Sequence, residues 1–198
     1  MKPILTAVLA CHPETPSPGV YGIEARVCCT QDGTIALTYG LKGDLARLRI
    51  PPPRSPRQVD GLWRHTCFEA FVGGKGESAY LEFNFSPSRE WAVYSFRGYR
   101  DSGLVSDQEP GPEITVRSQT DGLELDALVK LDHLGAIQAR GSLRLALSAV
   151  IEDNARMLSY WALKHPPGKP DFHHPDAFAR EIECAGIAAR NESPKEEL

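Results

Sequence analysis

Apolar and polar residues alternate one for one through much of this chain, a period that fits an extended strand with one buried face and no helix. In "TIALTYGL", Ile35, Leu37, Tyr39 and Leu41 share one parity while Thr34, Thr38 and Gly40 take the other. The pattern recurs at Leu81, Phe83 and Phe85, at Ala92, Tyr94 and Phe96, from Leu123 to Leu131, and at Leu143, Leu145 and Leu147. Turn signals separate the runs: "QDG" at 31–33, "GGKGES" at 73–78, "SPSRE" at 86–90 and "TDG" at 120–122. Such turns join antiparallel neighbours. About ten short strands so punctuated predict an all-β fold, two antiparallel sheets packed as a β-sandwich of jelly-roll type with little helix. Short helical turns are expected only at "LDHLGAIQA", 131–139, and at "HPDAFAREIE", 174–183, the latter capped by Asp176.

A chain of 198 residues fits one domain, placed at 1–190, with "NESPKEEL" as a frayed tail from 191 to 198. A domain of this size buries roughly 70% of its unfolded surface, so its core needs no cross-link. With 41% hydrophobic residues and a net charge of −4, the composition speaks against disorder and against a basic nucleic-acid-binding surface. The opening "MKPILTAVLACHPE" imitates a short lipoprotein signal, but its apolar part is brief and follows a proline, so it reads as a first strand. No stretch approaches the roughly 20 apolar residues of a membrane span. The cysteines Cys11, Cys28, Cys29, Cys67 and Cys184 are odd in number and form no CxxC pair. The expectation is reduced, buried thiols in a cytoplasmic protein, without a disulfide framework or structural zinc.

Polar chemistry concentrates in "LWRHTCFEAFVGG", residues 62–74. On a strand, Phe68, Ala70 and Val72 face one way and Cys67, Glu69 and Phe71 the other, which sets Glu69 between two apolar neighbours. A carboxylate there either faces solvent or lines a pocket in which it must be paired or hydrogen-bonded. The following strands present Glu82 and Asn84, and a meander through "SPSRE" would bring Arg97 and Tyr99 near the same region. Two carboxylates, an amide and a guanidinium can engage the hydroxyls of a polyhydroxylated ligand, or can form a structural salt-bridge ladder.

A second cluster, "SYWALKHPPGKPDFHHPDAF", holds His165, His173 and His174 with Asp171 and Asp176. Adjacent histidines in an extended chain point apart, so pocket lining fits this loop better than metal ligation. The proline-rich stretches 49–61 and 164–176 are the stiff loops of a sandwich rim. Signatures of catalysis are missing: there is no G-x-S-x-G elbow and no phosphate-binding glycine motif, and His65 and Cys67 are poorly placed as base and nucleophile. The separation of Glu69 and Glu82, which decides whether they could act as acid and base, is not legible at this stage.

At "DGLWRHTCFEAFV", "EFNFSPSREWAVYSFRGYRD" and "YWALKHPPGKPDFHHPDAF", the chain resembles the bacterial DOMON-like proteins related to family 9 carbohydrate-binding modules. The resemblance covers nearly the whole chain and implies a single β-sandwich with a ligand pocket on one sheet. It implies sugar-site roles for Trp63 and for Glu69 six positions on, for Arg97 on a later strand, and for Trp161 as a second aromatic wall. This sequence departs from the pattern by adding His65, His173 and His174. The expected function is a non-catalytic module that binds a saccharide or similar small polar ligand, without cofactor, through Trp63, His65, Glu69, Glu82, Asn84, Arg97, Trp161, His173 and His174. The alternatives are a metal-dependent enzyme using the histidine loop and a haem-binding or redox DOMON module using His65 and Met157.

Overall fold

The computed structural model describes residues 4–30, 32–104, 111–131 and 142–184. Its strands in chain order are β1 (Leu5–Cys11), β2 (Val20–Cys29), β3 (Thr34–Gly43), β4 (Cys67–Gly74), β5 (Tyr80–Phe85) and β6 (Trp91–Gly98). They continue with β7 (Asp101–Leu104), β8 (Glu113–Gln119), β9 (Gly122–Lys130), β10 (Ser142–Glu152), β11 (Leu158–Ala162) and β12 (Arg180–Glu183). All pairings between them are antiparallel.

The first sheet runs β1-β2-β3-β9-β8 and the second β7-β6-β5-β4-β10-β11, with β12 also on β10. One strand belongs to both: Leu5 to Leu9 pair with β2, whereas Ala10 and Cys11 pair with β11. A strand that changes sheets in this way makes a corner and fixes how the layers stack. Between the layers lies the main core. Ile35, Leu37, Tyr39 and Leu41 of the first sheet share it with Phe68, Phe83, Phe85, Leu145 and Leu147 of the second. The buried Tyr39 hydroxyl donates to the Glu69 carbonyl at 2.7 Å, so the polar tip of this core residue is satisfied.

The second sheet is buried on its other face as well. Every residue of β4 and β5 is buried, because a further apolar cluster of Phe71, Tyr80, Phe96, Val150, Phe172 and Ala177 covers part of the outer face. Phe172 and Ala177 come from the loop after β11. That loop is anchored to β1 by His165 Nε2 on the Ala10 carbonyl at 2.8 Å, and by His12 Nε2 on the Gly168 carbonyl at 3.0 Å.

Three expectations change. The segment 174–183 is one 3-10 turn, Pro175–Ala177, followed by strand β12, and the side chain accepting from the Asp176 N–H is that of His174, not Asp176. The cysteines are not all reduced: Cys29 at the end of β2 and Cys184 after β12 are joined by a disulfide across 155 positions. The pairing of β12 with β10 carries Cys184 back to the core, and no local spacing announces such a bond. The expected helical turn beyond Leu131 and the tail 191–198 lie outside the described residues.

Candidate functional site

The outer face of the second sheet carries a cleft of about 480 Å³. Its floor is set by register. Phe71 lies opposite Glu82, which lies opposite Tyr94, while Glu69 lies opposite Ser148 and Val150 opposite Tyr160. Directly paired residues of antiparallel strands project from the same face, so these side chains converge. Phe96 and Tyr160 flank them from the sheet, and Phe172 and His173 close over from the loop.

Trp63 stands at the mouth, 45% exposed, on a 3-10 turn spanning Leu62–Arg64. Gly61 opens this turn at φ 75°, a left-handed conformation that glycine adopts without steric cost. Its N–H donates to Tyr94 Oη at 3.1 Å, and Tyr94 in turn donates to Asp60. A residue of the cleft wall therefore holds the turn that presents Trp63. Leu62 anchors the same turn below, packed with Cys67 and Ala92.

Electrostatically the floor is acidic and poorly neutralised. The Glu69 side chain is buried, the residue being 2% exposed, and it accepts from Ser148 Oγ at 3.2 Å. Glu82 is 5% exposed and accepts from Asn84 Nδ2 at 2.7 Å. Burial pushes the Glu82 carboxyl up to about 7, against the Asn84 hydrogen bond and the Arg100 charge, which favour the ionised form. Burial, and then the neighbouring Glu82, push the Glu69 carboxyl well above its usual range. His173 shares a hydrogen bond with Tyr80 Oη at 3.0 Å, and burial lowers its pKa to about 4, so at neutral pH it is an uncharged ring. Burial and Glu69 raise the Cys67 thiol as well, which removes it as a nucleophile.

Of the residues expected at the site, Trp63, Glu69, Glu82 and His173 line the cleft. Asn84 is fully buried behind it, bonded to Glu82 and accepting from Cys67 Sγ at 3.3 Å, so it positions a wall residue instead of forming one. Arg97 points away, its side chain 86% exposed and paired with Asp101 at 3.0 Å. The register aligns Glu82 with Tyr94, which gives Arg97 the opposite parity, and beyond an irregularity after Phe96 it is Arg100 that joins Arg64 at the cleft. Trp161 also faces inward, buried in the core with Nε1 donating to Ser159 Oγ at 3.0 Å. Its neighbour Tyr160 is the aromatic wall, and the parity of β11 was the signal for that exchange.

His65 and His174 do not line this cleft. His65 is hydrogen-bonded through Nδ1 to buried Glu152 at 2.8 Å, in a neighbouring depression formed with the proline-rich loop. His174 Nδ1 accepts from the Asp176 N–H at 3.1 Å. His165 is bonded to β1 and packs edge-on against His12, so the loop histidines face separate tasks. Among the described residues no three His, Cys, Asp or Glu side chains converge as metal ligands. Neither His65 nor the exposed Met157 lines the cleft.

No protein-family model and no curated protein matches the chain. Solved structures do. A protein from Bacteroides uniformis thought to bind carbohydrate superposes with a TM-score of 0.68 at 15% identity, over 92% of this chain and 86% of that one. A family 9 carbohydrate-binding module from Caldicellulosiruptor kristjanssonii in complex with cellotriose gives a TM-score of 0.57 at 10% identity, over 96% and 87%. A family 9 carbohydrate-binding module from the same organism in complex with glucose gives a TM-score of 0.54 at 10% identity, over 96% and 88%. With its two antiparallel sheets and strand-switching corner, the chain has the β-sandwich fold of family 9 carbohydrate-binding modules.

Proposed function

We propose that this protein is a non-catalytic, DOMON-like binding module that takes a saccharide in the cleft on its second sheet. The observation that carries the reading is the combination of exposed Trp63 at the mouth, aromatic walls from Phe71, Tyr160 and Phe172, and a floor of directional acceptors at Glu69 and Glu82. Sugar rings present apolar C–H faces that pack on aromatic surfaces, and hydroxyls that need geometrically fixed partners. A cleft of about 480 Å³ lies within the range of small-ligand sites. The modules that share the fold were solved with cellotriose and with glucose, which supports the same ligand class here.

Calorimetric titration against a panel of mono- and oligosaccharides tests this. Wild-type protein is expected to bind at least one member, and Trp63→Ala to weaken that binding by tenfold or more while leaving the melting temperature unchanged. Absence of binding across the panel, or equal binding by the variant, would overturn the assignment.

A further inference from the structure

Charge is distributed unevenly through the cleft, in a way that bears on which saccharide enters it. At the mouth the guanidiniums are occupied: Arg100 pairs with Asp171 at 2.8 Å, and Arg64 lies 5.1 Å over the Trp63 ring. Asp60 is engaged there too, accepting from Tyr94. On the floor the situation reverses. Glu69 and Glu82 are buried on adjoining strands, and among the described residues neither is ion-paired to a lysine or arginine. Their partners are a serine hydroxyl and a side-chain amide, with His173 Nε2 at 3.7 Å from Glu82 and uncharged at neutral pH. Among the described residues one oxygen of Glu69 has no hydrogen-bond partner, and it belongs to a side chain that lines the cleft.

Burial holds both carboxyl groups toward their protonated form, and a sheet built only for stability gains nothing from placing them there. Neutral hydroxyls alone do little to reverse this, because a hydroxyl brings one donor and no charge. A protonated amine brings three donors and a positive charge that draws both carboxyl groups back to their ionised form, and the rings of Phe71, Tyr160 and Phe172 line the same cleft. We infer that the floor receives the ammonium group of an amino sugar, and that the cleft therefore selects amine-bearing saccharides over their neutral counterparts. This rests on the saccharide reading above, whose ligand class it narrows. Acetylation of the amine removes both the charge and two donors, so an N-acetylated sugar falls on the neutral side of the comparison.

The test is a calorimetric titration of the wild-type protein at pH 7 with three matched ligands, each as monosaccharide and as β-1,4-linked trimer: glucose, glucosamine and N-acetylglucosamine. The expected result is at least tenfold tighter binding of the amine form than of either neutral form. A Glu69→Gln variant, isosteric and checked for folding by its thermal transition, is expected to reduce that preference to threefold or less. Equal or tighter binding of the neutral forms overturns the amine inference and leaves the saccharide reading in place. Failure of all three in both lengths overturns the amine inference, and failure of the wider panel as well overturns the saccharide reading with it.

Discussion

The outer faces of the two sheets start from the same kind of sequence and end in opposite environments. On the first sheet, Arg26, Glu124, Arg117 and Asp126 alternate with core residues and form a ladder, with Arg26 and Arg117 both 2.6 Å from Glu124. These side chains stay in water. On the second sheet, Glu69 and Glu82 alternate with core residues in the same manner, yet they are buried and, among the described residues, neither is ion-paired to a lysine or arginine. The alternation governs which face a residue takes. Whether that face meets solvent depends on what the loops lay across it, and only the second sheet is overlaid by the segment carrying Phe172, His173 and Ala177.

The contrast should be largest in stability. Phe71 on the outer face of the second sheet is 1% exposed and packs against the rings of Tyr80, His173 and Phe178. Phe71→Ala is expected to cost about 3–5 kcal/mol. Leu128→Ala on the outer face of the first sheet, where Leu128 is 43% exposed, should cost under about 0.5 kcal/mol. Urea midpoints at unchanged slope measure both, and similar costs would show that the second sheet has no outer core.

A second difference concerns pH. Because Glu82 titrates at about 7 in the folded protein against an ordinary 4.5, the folded state binds more protons than the unfolded one between those values. Its contribution is therefore fully present below 4.5 and is lost as pH rises through about 7. Raised Glu69 acts in the same direction, whereas His173, lowered to about 4, favours the folded state increasingly as pH rises from 4 to 6.5. Comparison with Glu82→Gln removes Glu82 together with its effect on Glu69: relative to the variant, the wild type should lose at least about 3 kcal/mol of stability between pH 4.5 and pH 8. Parallel profiles would mean that Glu82 is solvated.

The smallest effect belongs to the ladder. A double-mutant cycle on Arg117 and Glu124 should give a coupling of about 0.2–1 kcal/mol, shrinking as salt is added, because both side chains are substantially exposed. A coupling of several kcal/mol would place this face in a low-dielectric setting and erase the distinction between the sheets.

The architecture was legible from local signals. The alternation in 34–41, 81–85, 92–96, 123–131 and 143–147 marks strands that exist, and the turn motifs fall between paired neighbours. The lining of the candidate cleft was legible where parity and register sufficed, at Glu69 and Glu82. It failed where one residue of register decided the outcome. Arg97 yields to Arg100 because of an irregularity after Phe96, and Trp161 yields to Tyr160 because the larger aromatic faces the core. His65 was expected at the ligand but lies outside the cleft, bonded to Glu152 87 positions away, and the Cys29–Cys184 bond was hidden by a still greater separation. Contacts of that range follow from the topology, which short sequence windows do not contain.

The account's central claim is that the covered outer face of the second sheet is the binding surface. The most direct measurement is a crystal structure of the protein with the tightest-binding saccharide of the panel. The account predicts a sugar ring stacked on Trp63, with polar groups within hydrogen-bond distance of Glu69 and Glu82. A sugar seated instead among Arg49, Arg54 and His65 in the neighbouring depression, or on the charged ladder of the first sheet, would contradict it.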